Sequence, residues 1–124
     1  MDEKLFDLSF LEQMDDTSFL VEIITLYLHD TEIDLLDMKQ TLNDGNIDAV
    51  SKTAHKLKSS TGMIQANTLF AILQNIEAIA KAGSDIPRLN ELVQDAGKQF
   101  DQLRAPLQLH LKQLQSAASV IEQH

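Results

Sequence analysis

Between Leu89 and Ile121 one seam recurs at alternating steps of four and three residues: Leu89, Val93, Ala96, Phe100, Leu103, Leu107, His110, Leu114, Ala117 and Ile121. This is the a/d series of a heptad repeat, and it predicts one long helix with a narrow apolar edge. Such a helix cannot bury its own seam, so the remaining chain has to offer matching stripes. Three are present. Leu20, Ile23, Ile24, Tyr27, Thr31, Leu35, Met38 and Leu42 form the first, and Val50, Ala54, Leu57, Thr61 and Ile64 the second. Leu69, Ile72, Leu73, Ile76 and Ala80 form the third, again at helical spacing.

Punctuation between the stripes sets the boundaries. Ser9-Phe10-Leu11-Glu12 fits a capping box, with Ser9 as N-cap and Glu12 reaching back, so a short helix to Met14 follows a frayed lead-in of residues 1–8. Asp15-Asp16-Thr17 break and recap ahead of a helix over 18–42. Asn43-Asp44-Gly45-Asn46 is a turn, and the next helices are expected over 47–62 or 63 and over 67–82. Gly83 ends the latter, and Ser84 or Asp85 caps the long helix, which Pro106 should kink because proline lacks the N–H and clashes with the preceding turn. The expected fold is all-α: one domain over 1–124, an antiparallel up-down-up-down four-helix bundle with a short extra N-terminal helix and a long, kinked C-terminal helix. Hydrophobic residues at 44% with aromatics at only 5% suit helices packing on helices.

Composition also excludes functions. Without cysteine, neither a disulfide framework nor a thiolate metal site can form. No apolar run approaches the roughly 18 residues of a membrane span and no signal-peptide pattern opens the chain, so a cytoplasmic protein is expected. A net charge of −9 repels nucleic-acid phosphates. No glycine-rich phosphate loop is present, so ATP binding and autophosphorylation are not expected.

The chemistry concentrates in residues 54–66. His55 lies about 130° from the centre of its helix's apolar stripe, facing outward. Ser51, Ser59 and Gly62 share its face at helical spacing, and Lys52 and Lys58 stand three residues to either side. With Lys56 these lysines form a basic patch on an acidic chain. An exposed imidazole in a clearing of small side chains, flanked by cations, suits a group that carries negative charge and that a macromolecule must approach. Ser59 and Ser60 beside His55 do not make a hydrolase: no aspartate orients a triad and no oxyanion loop is evident. His29, His110 and His124 lack such surroundings, and His110 falls in the core seam.

The series His55-x-Leu57-Lys58-Ser59-Ser60-Thr61, followed by Ile64-Gln65-Ala66, resembles the phosphorylation motif of histidine phosphotransfer (HPt) domains, the four-helix-bundle intermediates of multistep phosphorelays. Two positions depart from that pattern: Ser59 and Gln65 stand where the family usually has glycine. The resemblance implies that His55 is phosphorylated, that Lys58 contacts the phosphate, and that Lys81 is a further phosphate contact. It also implies small residues at Ser59 and Gly62 for partner access.

Helix geometry independently supplies a partner for His55. Helices 47–62 and 67–82 must form a hairpin turning near residues 65 and 66, so facing residues have numbers summing to about 132. That sets Glu77 level with His55. A carboxylate there accepts the Nδ1–H bond, fixes the tautomer and frees Nε2 as nucleophile. In the resembled family a Gln or Glu at this separation holds that nitrogen; Glu77 could instead, or as well, form an i,i+4 pair with Lys81.

The expected function is a phosphocarrier, not an enzyme in its own right, moving a phosphoryl group between aspartates of receiver domains in response regulators or hybrid histidine kinases. It needs no cofactor or metal of its own, with Mg²⁺ coming from the receiver, and a monomer is the simplest state. Docking candidates are Phe10, Leu11, Phe19, Met63 and Ile64; Phe10 and Leu11 could equally cover the open end of the bundle. The alternatives are a non-catalytic helical adaptor and the phosphotransfer module of a chemotaxis-type kinase; the start at Met1 argues for a stand-alone protein over the latter.

Overall fold

A computed structural model describes residues 5–14 and 16–122, with side chains as far as residue 117. Asp15, His124 and the side chain of Ile121 therefore lie outside the described residues. Among the described residues five helices follow one another: α1 (Ser9–Glu12), α2 (Thr17–Asn43), α3 (Ile47–Met63), α4 (Asn67–Ala82) and α5 (Ile86–Glu122). No strand occurs among the described residues. α2 packs on α3, α3 on α4, α4 on α5 and α5 back on α2. Connections of three residues force each helix to run opposite to the one before it, which makes this an antiparallel four-helix bundle.

The helices begin and end for local reasons. Asp16 caps α2, its Oδ1 accepting from the Phe19 N–H at 3.0 Å, and Asn46 caps α3 by accepting from the Ala49 N–H at 3.2 Å. Gly83 closes α4 in the left-handed conformation, φ 66°. Asp85, not Ser84, caps α5, accepting from the Arg88 N–H at 3.2 Å. The capping box at the N-terminus does not form. Leu8 stands at the N-cap without a side-chain cap; Ser9 is already helical, and its N–H and hydroxyl donate to Asp7 Oδ1 at 2.9 and 2.6 Å. An Asx-type acceptor two residues before the helix leaves Glu12 nothing to reciprocate.

The lead-in is packed rather than frayed from Leu5 onward. Leu8 and Leu11 are buried, Leu5 and Phe6 pack against the core, and the Asp7 N–H donates to the Ile64 carbonyl at 2.8 Å. The reason is geometric. α3 and α4 span about 25 Å, whereas the 37 residues of α5 span about 55 Å at 1.5 Å per residue. α2 and α5 overhang the α3–α4 turn, and α1 with its lead-in covers the exposed end. The seam of α5 fades accordingly. It is buried from Leu89 to Leu107, half-buried at His110 and Leu114, and exposed at Ala117. α5 runs unbroken through Pro106, whose ring is exposed.

One buried polar contact ties α2 to α3: Tyr27 Oη and Thr61 Oγ1 lie 2.9 Å apart. Burial pushes the Tyr27 phenol above its ordinary range, so it keeps its proton well into alkaline pH.

The α3–α4 turn carries strain. Gln65 has φ 51°, a left-handed conformation that costs a non-glycine residue roughly 1–2 kcal/mol. Gln65→Gly should therefore raise the unfolding free energy, by roughly 0.5 kcal/mol after the greater entropy of the unfolded glycine chain is counted. Urea denaturation of the two chains, with equal m-values, checks this; a destabilised variant would show that the Gln65 side chain contributes more than its backbone costs.

Candidate functional site

The site is built on the α3–α4 hairpin. His55 faces away from the core, its side chain 68% exposed. Opposite it on α4, Glu77 is buried, only 8% exposed, although it sits beside the apolar stripe of its helix. A buried carboxylate has to be paired, and three groups converge on it. His55 Nδ1 is 2.7 Å from Oε2, Lys58 Nζ donates to Oε1 at 3.1 Å, and Lys81 Nζ stands 3.8 Å from Oε1.

The Lys58 hydrogen bond holds the Glu77 carboxyl below its ordinary value of 4.5; burial opposes this, and the His55 bond with the charges of Lys58 and Lys81 adds to it. Glu77 is thus ionised at neutral pH and can only accept. The proton between it and the imidazole belongs to Nδ1, and the Nε2 lone pair is left free. Because the folded-state value is depressed, the stabilisation from ionised Glu77 is complete above about pH 4.5 and fades as pH falls through the folded value. Glu77→Gln should erase this portion. The difference in urea midpoint between wild type and variant should shrink below pH 4.5, and a pH-independent difference would contradict it.

Ser59 and Gly62 are exposed on the His55 side of α3. Ser51, expected in the same clearing, is buried, 5% exposed. One turn nearer the α2–α3 connection, the neighbouring helices stand against that flank. The basic patch also resolves into separate ion pairs. Lys52 pairs with Asp48 at 2.9 Å and Lys56 with Asp34 of α2 at 3.0 Å, which lifts the Lys56 ammonium above its ordinary range. Of the three lysines, only Lys58 turns toward Glu77. Among the described residues, no three His, Asp or Glu side chains come together as a metal-binding group, and no helix is long and apolar enough to cross a membrane.

Of the docking candidates, Phe10, Phe19 and Met63 are exposed, whereas Leu11 and Ile64 are buried in the core. Ile64 completes the α3 stripe, and Leu11 is the residue through which α1 plugs the bundle end. Between α2 and α3 a groove of about 350 Å³, lined in part by Ile23, Leu26, Ser59 and Met63, opens one turn from His55. His29 is exposed. His110 lies edge-on to Phe6, centroids 6.5 Å apart, with Nε2 3.7 Å from Glu12 Oε1.

Phe70 was not expected in this neighbourhood. Its ring lies against Gly62, where an added Cβ would meet it at 3.5 Å, and under Lys58, whose Nζ is 6.0 Å from the ring centroid. The register rule that opposes 55 to 77 also opposes 62 to 70, so the signal was present; a phenylalanine on an amphipathic helix simply reads as core.

Comparison with known proteins agrees with this architecture. A solved structure from rice, described as a candidate histidine-containing phosphotransfer protein, superposes with a TM-score of 0.76 at 21% identity, covering 90% of this chain and 83% of its own. No curated protein matches the chain. The family model of the Hpt domain matches residues 22–117, from the second turn of α2 to the last described side chain of α5, and so takes in the whole hairpin that holds His55 and Glu77. The chain belongs to the Hpt domain family.

Proposed function

We propose that His55 is the phosphoryl-carrying residue, relaying the group between aspartates of two receiver domains. The supporting observation is the 2.7 Å contact between Nδ1 and the buried Glu77 carboxylate, which leaves Nε2 free on an exposed helix face. In the forward step the Nε2 lone pair attacks the phosphorus of an aspartyl phosphate. The N–P bond forms, the O–P bond to the aspartate breaks, and the carboxylate departs with its electron pair. The Nδ1 proton stays in place, so the phosphorylated ring is cationic and is held against Glu77. In the second step a new aspartate attacks phosphorus and the electron pair returns to Nε2, with no net proton change.

Charge spreads over the equatorial oxygens of the group in transit, so transfer depends on positioning and electrostatics. Lys58 can turn from Glu77 to one of those oxygens as a point charge, and Lys81 stands one turn further along α4. Mg²⁺ is assigned to the receiver, and the chain acts as a monomeric carrier without kinase activity of its own. Receiver docking is assigned to the His55 face with the neighbouring α2–α3 groove and the exposed Phe19 and Met63.

The test is incubation with a panel of phosphorylated receivers and Mg²⁺. The expected label is acid-labile and base-stable, as a phosphoramidate is, and is absent from His55→Gln. Label that persists in the variant would move the site elsewhere. No label from any receiver, nor from a kinase domain, would leave a non-catalytic adaptor bundle as the better account.

A further inference from the structure

We propose that Phe70 is a positioning residue for phosphoryl transfer, its ring forming a platform that holds the Lys58 ammonium beside His55; the inference rests on the phosphocarrier reading above. The three lysines of α3 behave differently. The side chains of Lys52 and Lys56 are 78% and 68% exposed, whereas that of Lys58 is 22% exposed. Two contacts confine it: the Glu77 carboxylate at 3.1 Å and the Phe70 ring at 6.0 Å, within reach of a cation–π attraction. Lys58 also sits on the seam between two turns of α4, with Phe70 on one side and Glu77 on the other.

Gly62 completes the arrangement. A Cβ there would stand 3.5 and 3.6 Å from two ring carbons of Phe70, an ordinary contact, so alanine fits and anything longer pushes the ring off its seat. The small residue at 62 thereby serves the ring as well as an approaching partner. When a phosphoryl group arrives at Nε2, Lys58 has to exchange its carboxylate for a phosphoryl oxygen. A lysine already held close to its seam has less rotamer freedom to lose than one free in solvent, and its charge is preorganised where negative charge develops.

The experiment combines transfer kinetics with a signal that needs no phosphoryl donor. In the NMR spectrum of the wild type, the Lys58 side-chain methylene protons nearest the ring should be shifted upfield by its current. Phe70→Leu should abolish that shift and slow transfer from the receiver about threefold, the order of an exposed cation–π contact. Phe70→Tyr should restore both. In a Lys58→Met background, Phe70→Leu should slow transfer no further. The inference is overturned if the wild-type Lys58 protons show no upfield shift, if Phe70→Leu transfers at the wild-type rate, or if it slows transfer equally without Lys58, which would mean that it acts through packing. A wild-type chain that no receiver labels would instead overturn the phosphocarrier reading and with it the role in transfer, and the ring-current shift would report separately whether the Phe70–Lys58 contact exists.

Discussion

With Glu77 replaced by alanine, transfer to His55 should slow roughly ten- to hundred-fold while helical content stays unchanged; with His55 replaced by glutamine it should stop altogether. Glu77 gives the imidazole its only hydrogen bond among the described residues. A hydrogen bond to a charged group is worth roughly 1.5–3 kcal/mol, and each 1.36 kcal/mol of transition-state energy is about tenfold in rate. Without it the ring samples both tautomers, and the cationic phosphorylated ring loses its counter-charge. Glu77→Ala also strands the Lys58 and Lys81 ammonium groups that the carboxylate now gathers. Glu77→Gln keeps an acceptor oxygen for Nδ1–H and should lose less than tenfold. Side-by-side rates from one phosphorylated receiver decide the matter. An alanine variant as fast as wild type would make the hydrogen bond incidental to transfer. For His55→Gln, the glutamine amide can still donate to the buried Glu77 carboxylate, and urea unfolding of the variant beside the transfer assay separates loss of labelling from loss of fold.

The residues that could be read from the sequence were those fixed by periodicity and by short connections. A turn of three residues between α3 and α4 leaves one antiparallel register, and that register alone brings Glu77 level with His55. The apolar stripe of α3 is buried from Val50 to Ile64 for the same reason. What escaped was decided by tertiary context. Ser51 sits on the outward arc of a helical wheel yet is buried, because a wheel ignores how closely the next helix approaches. The patch of Lys52, Lys56 and Lys58 looked continuous because sequence shows spacing on one helix and not the carboxylates of its neighbours; Asp34 and Glu77 divide it. The capping box fails because Asp7, not Glu12, takes the Ser9 N–H. Phe70 was hidden by its ordinary chemistry: the same side chain can fill a core or carry a lysine.

The second large effect concerns the frame rather than the chemistry. Phe100→Ala should cost about 3–5 kcal/mol, the range for truncating a buried phenylalanine. Phe100 is 1% exposed at the middle of the α5 seam, where α2 and α5 meet. Its ring meets Tyr27 edge-to-face, centroids 6.3 Å apart, and the Arg104 guanidinium lies 4.9 Å above it. Aromatic pairing adds about 0.5–1.5 kcal/mol beyond buried area. Tyr27 in turn pairs with the Thr61 hydroxyl in the last turn of α3, the helix that carries His55. A cavity at Phe100 therefore loosens the buried Tyr27–Thr61 contact between α2 and α3 as well as the α2–α5 packing. For a domain whose total stability is about 5–15 kcal/mol, the melting temperature should fall by roughly 12–20 °C. Phe100→Leu, which keeps most of the volume, should cost less than about 1.5 kcal/mol. Thermal and urea unfolding followed by circular dichroism measure both. If the alanine variant lost less than the leucine variant, the interface would be collapsing around the gap, and the link from Phe100 through Tyr27 to α3 would not be part of what holds the site in register.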